Sequence, residues 1–217
     1  MRPLAEALEA ELDGKFEHAL AVLLEREDAG TAEDRITVTL NVADVLSKMA
    51  RHDEAAEWFA HAGRLYIALA DEEDDGDEEE ALVGAALDCL KRAVLAAHED
   101  EELQARYAAE YLDAFSDAWE EDLEVDDHLL FAATLYRRAG RHALAGRAYK
   151  QLAIELENLA EDEDDPDLDE ESRGVWALAA AEYEAAGLAE EAEDIRVSRE
   201  VAPARPAKEP EPVEPRH

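Results

Sequence analysis

The 217-residue chain has a single cysteine, so no intrachain disulfide staples it. It has seven prolines, and five of them fall at or after Pro203, so little interrupts a helix before that point. Strand signals are scarce. The one β-branched alternation, Ile36-Thr37-Val38-Thr39, runs on into LNVADVLSKMA, where Leu40, Ala43, Leu46 and Ala50 recur at helical spacing. No apolar run approaches the ~18 residues of a membrane span. The opening Met1-Arg2-Pro3-Leu4 passes into alternating Glu and Ala with no apolar leader segment, so the expected setting is the cytoplasm. Positive charge is also short: 21 Lys+Arg, only 5 of them Lys, stand against 58 Asp+Glu, for a net charge of -37. That balance excludes unaided binding to nucleic acid or to an anionic membrane surface.

Charge of this density, spread over the whole chain, works against a compact state in dilute buffer. Surface charges repel over about 10 Å at 0.1 M salt and about 3 Å at 1 M. The composition therefore predicts a protein of concentrated salt, an extreme halophile of archaeal type. What fills the chain is Ala, at 45 positions, with Leu and Glu at a period near 3.6. The fold class expected is all-α, with about ten helices near 3–13, 15–28, 33–50, 53–71, 78–98, 100–121, 126–139, 142–161, 167–186 and 189–200. Thr31 to Asp34 forms a T-x-x-D capping box, Pro166 suits a first helical position, and Gly14, Gly140 and Gly187 mark stops. Residues 1–200 form the array, and 201–217, APARPAKEPEPVEPRH with its preceding Val, form a Pro-rich tail expected to be disordered or polyproline-like.

Four segments align: GKFEHALAVL (14–23), ARHDEAAEWF (50–59), GRHALAGRAY (140–149) and GLAEEAEDIR (187–196). Each begins with a small residue and has Ala five positions on, at Ala19, Ala55, Ala145 and Ala192. Twelve residues before that Ala stand Ala43, Ala133 and Ala180 in three units; nine before stand Leu46, Tyr136 and Tyr183; four after stand Leu23, Phe59, Tyr149 and Arg196. This is the pattern of a helical hairpin in which a small residue admits a close neighbour and a large one fills the groove beside it. Those positions resemble the tetratricopeptide repeat over about four of five hairpins, residues 4 to 200, with only Trp176 at the early aromatic position. The resemblance implies a right-handed array of antiparallel hairpins, a solenoid whose inner face binds a segment of another protein. HDEAAEWFAHAG (52–63), AALDCLKRAV (85–94) and Ala108-Ala109 also look like the helical slab of the soluble NSF attachment proteins, which implies an adaptor role. The ending EPVEPRH lacks the acidic helix and terminal Leu of that family.

Catalytic and metal chemistry find no motif. Asp71, Glu73, Asp75 and Gly76 match the first positions of a calcium loop, but its twelfth is Leu82 where a bidentate Glu is required. No two of the seven histidines stand at i,i+3 or i,i+4, and there is no phosphate loop or nucleophile elbow. Cys89, in the helical pattern ALDCLKRAV, reads as a small buried side chain. The expectation is no enzyme, no cofactor and no metal.

Positive charge does cluster at Arg137, Arg138, Arg141, Arg147 and Lys150. In the repeat frame, Thr134, Arg137 and Arg138, with Arg141 following, sit on the inner side of one hairpin, and Asp44, Ser47 and Lys48 hold the equivalent places in another. These seven are the candidate partner-binding residues. The competing explanation is that Arg137 and Arg138 serve the last turn of their helix and pair with nearby carboxylates. The function expected is a protein-interaction adaptor for a peptide or helix. The alternative is a self-associating structural protein that pairs copies through exposed Trp58, Trp119 and Trp176.

Overall fold

A computed structural model describes residues 2–26, 30–73, 75–120, 126–163 and 166–199. Among the described residues there are ten helices and no strand: α1 (Arg2–Leu12), α2 (Phe16–Leu24), α3 (Ala32–Lys48), α4 (His52–Ala70), α5 (Gly76–Ala96), α6 (Glu101–Glu120), α7 (Asp126–Arg138), α8 (His142–Glu163), α9 (Pro166–Ala185) and α10 (Ala189–Ser198). The all-α expectation holds, and the Ile36–Thr39 alternation lies inside α3, where Ile36, Val38 and Thr39 are buried. The expected tail, 201–217, lies outside the described residues. None of the described helices is long and apolar enough to cross a membrane.

The chain divides into two units, Met1–Val125 and Asp126–His217. Within each, every helix packs chiefly on its sequence neighbours. Local signals explain the boundaries. Thr31 Oγ1 accepts from Asp34 N at 3.3 Å while Thr31 N donates to Asp34 Oδ2 at 3.1 Å, the reciprocal box that starts α3. Asp75 Oδ1 accepts from Asp77 N at the start of α5, and Asp100 Oδ1 accepts from Glu102 N and Leu103 N at the start of α6. Helix α2 stops at Leu24, where Glu25 and Arg26 form a turn; residues 27 and 28 of the expected helix lie outside the described residues.

The four aligned segments all open on the same turn. Gly14, Ala50, Gly140 and Gly187 have φ of 72°, 57°, 70° and 77°. Their N–H groups donate to Glu11, Ser47, Arg137 and Glu184 carbonyls at 2.9–3.0 Å. The next residue in each case, Lys15, Arg51, Arg141 or Leu188, donates back to Ala10, Leu46, Tyr136 or Tyr183 at 2.8–3.0 Å. This pair of bonds closes the preceding helix in a Schellman motif. The carbonyl of that same residue then accepts from the N–H of Ala19, Ala55, Ala145 or Ala192, which begins the next helix. One turn therefore caps two helices.

A left-handed φ costs a residue with a Cβ roughly 1–2 kcal/mol, and Ala50 is the sole non-glycine among the described residues that carries it. Ala50→Gly should stabilise the protein, by about 0.5–1 kcal/mol after the extra backbone entropy of glycine is counted. Chemical denaturation in molar salt would show a higher midpoint at unchanged slope; a lower midpoint would contradict the turn geometry.

Ala19, Ala55, Ala145 and Ala192 are each 0% exposed, as the hairpin pattern requires. Ala43, Ala133 and Ala180 are buried as well, and the first hairpin completes the set with Ala7, also buried. Leu46, Tyr136, Leu23, Phe59 and Tyr149 fill the grooves beside them, while Tyr183 and Arg196 are half-buried. Close approach is visible at Gly146, where an added Cβ would lie 3.1 Å from the Tyr183 ring.

Ion pairs tie helices two apart. Lys48 of α3 reaches Glu11 of α1, Arg92 of α5 reaches Asp44 of α3, and Arg64 of α4 makes a two-point contact with Glu110 of α6 at 2.6 and 2.8 Å. In the second unit Arg137 of α7 faces Glu182 of α9 at 4.0 Å, and Arg199, just past α10, pairs with Glu157 of α8 at 3.1 Å. These side chains bring alternate helices within reach of one another, as in an array of helical hairpins.

The units also share a register. A shift of ninety residues carries His52 to His142, Ala55 to Ala145, Ala50 to Gly140, the start of α5 at Gly76 to the start of α9 at Pro166, and Gly84 to Gly174. Helices α3–α6 and α7–α10 are thus two versions of one four-helix pattern.

Candidate functional site

The nominated residues fall into two groups, each described within its own unit. Asp44, Ser47 and Lys48 stand at i, i+3 and i+4 and share one face of α3. Asp44 is held by Arg92, whose guanidinium also lies 3.9 Å from the Phe59 ring centroid. Ser47 Oγ donates to the Ala43 carbonyl at 2.9 Å, and Lys48 is engaged with Glu11. On α7, Thr134 Oγ1 similarly donates to the Leu130 carbonyl at 2.9 Å, and Arg137 faces Glu182. Arg138 and Arg141 are exposed, and Arg141 has no ion-pair partner among the described residues. Arg147 and Lys150 extend the exposed positive strip along α8.

Much of the nominated charge is therefore committed to the fold. The unforeseen member is Glu182, a carboxylate on α9 with only 9% of its side chain exposed. His142 Nδ1 donates to its Oε2 at 2.8 Å, at the start of α8, and Arg137 approaches from α7. One buried acid thus joins three helices. Its buried oxygens depend on the His142 hydrogen bond and on the nearby Arg137 charge, because a buried carboxylate left without such partners loses several kcal/mol. Nothing in the sequence separates Glu182 from the other 57 acids. The ninety-residue shift, however, places it opposite Arg92, the residue that braces α5 to α3.

The acidic run at 71–80 straddles the turn from α4 to α5, where Asp75 is spent as a helix cap. Among the described residues no group of three or more His, Cys, Asp or Glu is placed to hold a metal ion. Cys89 is buried in α5, and burial pushes its thiol up to about 11, so it holds its proton in neutral solution and is a poor nucleophile. Burial likewise raises Tyr107 and Tyr183.

The tryptophans depart from expectation. Trp176 is buried, not exposed: its Nε1 donates to Glu157 Oε1 at 2.8 Å, and the Arg199 guanidinium lies 4.7 Å from its ring centroid. Trp58 and Trp119 are half-buried, with Trp58 edge-on to His61 and Trp119 against Phe115. Large aromatic faces in an Ala-rich helix pair fill the space its small neighbours leave.

No protein-family model matches the chain, and neither does any curated protein. Among solved structures it is similar to the crystal structure of BtubC (BKLC) from P. vanneervenii, at 18% identity, covering 97% of this chain and 85% of that chain, with a TM-score of 0.44.

Proposed function

We propose that the protein is a non-enzymatic adaptor of a salt-rich archaeal cytoplasm. Its hairpins stack in a right-handed, tetratricopeptide-like manner, and their inner faces dock a peptide or helix of another protein. The observation that carries this reading is the fourfold recurrence of one turn with one fully buried alanine behind it. Repetition of that kind builds an extended surface, where an enzyme would need convergent polar groups in one pocket. In the first unit the nominated side chains are those of α3 at Asp44, Ser47 and Lys48; in the second, separately, they are those of α7 and its turn at Thr134, Arg137, Arg138 and Arg141. Arg141 is the better contact residue, because it is exposed and has no ion-pair partner among the described residues, whereas Arg137 has a structural duty to Glu182.

The test is affinity capture from extract in about 2 M KCl, a concentration at which only short-range charge contacts survive. Arg138→Gln with Arg141→Gln should lose the principal captured protein while leaving the helical signal unchanged. The same captured set with both variants would remove the α7 face from the account.

Self-association is a second reading, now favoured by other residues. Leu8 and Leu12, one turn apart on α1, are 54% and 81% exposed, an apolar stripe that a second copy could cover. Light scattering in molar salt separates the two, since a monodisperse monomer excludes it.

A further inference from the structure

Between the C-terminal part of α4, the first half of α5 and the end of α6 lies a cavity of about 290 Å3. Ile67, Val83 and Leu87 line it together with buried Ala86. Asp71, Glu79 and Asp117 complete the lining; Asp71 and Asp117 are exposed, and none of the three is in an ion pair among the described residues. The volume is just below the ~300 Å3 at which small-molecule sites begin, so it suits one large side chain.

The second unit indicates which side chain. The ninety-residue shift carries Ala86 to Trp176 and Ile67 to Glu157. There the indole occupies the space between the paired helices, anchored by its N–H on Glu157 and covered by the Arg199 guanidinium, which Glu157 also holds. At the position of that indole the first unit has Ala86, with an open cavity beside it lined by carboxylates that make no ion pair among the described residues. We propose that this cavity receives an aromatic side chain of indole size, flanked by a basic residue, supplied by a partner peptide. The ring takes the place that Trp176 fills in the second unit, and the cation meets Asp71, Glu79 and Asp117. This deepens the docking reading by naming the anchor, and rests on it for the peptide nature of the occupant.

Tryptamine, an indole carrying an ammonium group, is the probe. Titrated into the full chain in about 2 M KCl, it should give saturable NMR shifts at the Val83 and Leu87 methyls, with a dissociation constant in the millimolar range expected of so small a ligand. Indole-3-propionate, the same ring with a carboxylate, should bind at least about threefold more weakly. Ala86→Trp should reduce tryptamine affinity about tenfold or more by filling the cavity from within. Where Ala86→Trp does not fold, Asp71→Asn with Asp117→Asn decides: tryptamine weakens towards indole-3-propionate if the mouth carboxylates hold the cation. Absence of saturable shifts, equal binding of the two indoles, or full affinity in folded Ala86→Trp would each overturn the assignment. No partner protein enters the assay, so a negative result removes the cavity and leaves the capture experiment on α7 independent.

Discussion

Dilution of the protein from about 2 M KCl to 0.05 M is expected to unfold it, with loss of most of its helical circular dichroism. Two electrostatic effects oppose one another here. The helix-to-helix ion pairs, such as Arg64–Glu110 and Lys48–Glu11, strengthen as salt is removed. Each is partly exposed and contributes about 0–1 kcal/mol, so their gain is a few kcal/mol at most. Against them stands a net charge of -37, whose mutual repulsion extends from about 3 Å at 1 M salt to more than 10 Å below 0.1 M. A total stability of about 5–15 kcal/mol is too small to withstand repulsion summed over so many unpaired carboxylates. Melting temperature should therefore rise steeply with KCl and should recover on adding salt back. A melting temperature independent of salt between these limits would refute the high-salt reading.

Two glycines should respond with opposite signs. At Gly63 in α4, an added Cβ would lie 2.9 Å from Leu90 Cγ and 3.2 Å from the Ala86 carbonyl oxygen of α5. The second neighbour is backbone and cannot turn aside. Gly63→Leu should therefore cost about 3 kcal/mol or more, by prising α4 from α5. At Gly84 in α5 an added Cβ meets nothing within 4 Å. Gly84→Ala should stabilise by about 0.5–1 kcal/mol through backbone entropy alone. Denaturation midpoints of the pair test the α4–α5 contact directly, and equal shifts would contradict it.

The helices were legible because their ends carry local chemistry. Gly14, Gly140 and Gly187 take the left-handed turn, the Thr31–Asp34 box starts α3, and Pro166 opens α9. The alanine register was equally readable, since a small residue at fixed spacing is a packing instruction written along the chain. Ala50 shows where that ends: nothing in its identity announces a left-handed backbone, and only its place in the alignment does. The candidate site was less legible. Lys48 and Glu11, or Arg92 and Asp44, are separated by 37 and 48 residues, and with 58 acids to choose from, a cation's partner cannot be picked out by pattern. Trp176 was misplaced for a related reason. Its burial depends on Glu157 and Arg199 meeting it from two other segments.

The brace between alternate helices has opposite polarity in the two halves. In the first, a cation on the later helix, Arg92, grips an acid on the earlier one, Asp44; in the second, an acid on the later helix, Glu182, grips the cation Arg137. Two tandem copies of one pattern risk exchanging parts while the chain is still collapsing. Here a crossed assembly would set Glu182 against Asp44 and Arg92 against Arg137, acid on acid and cation on cation. The inversion gives hairpins built on one pattern a means of telling their own companions from those of the other copy.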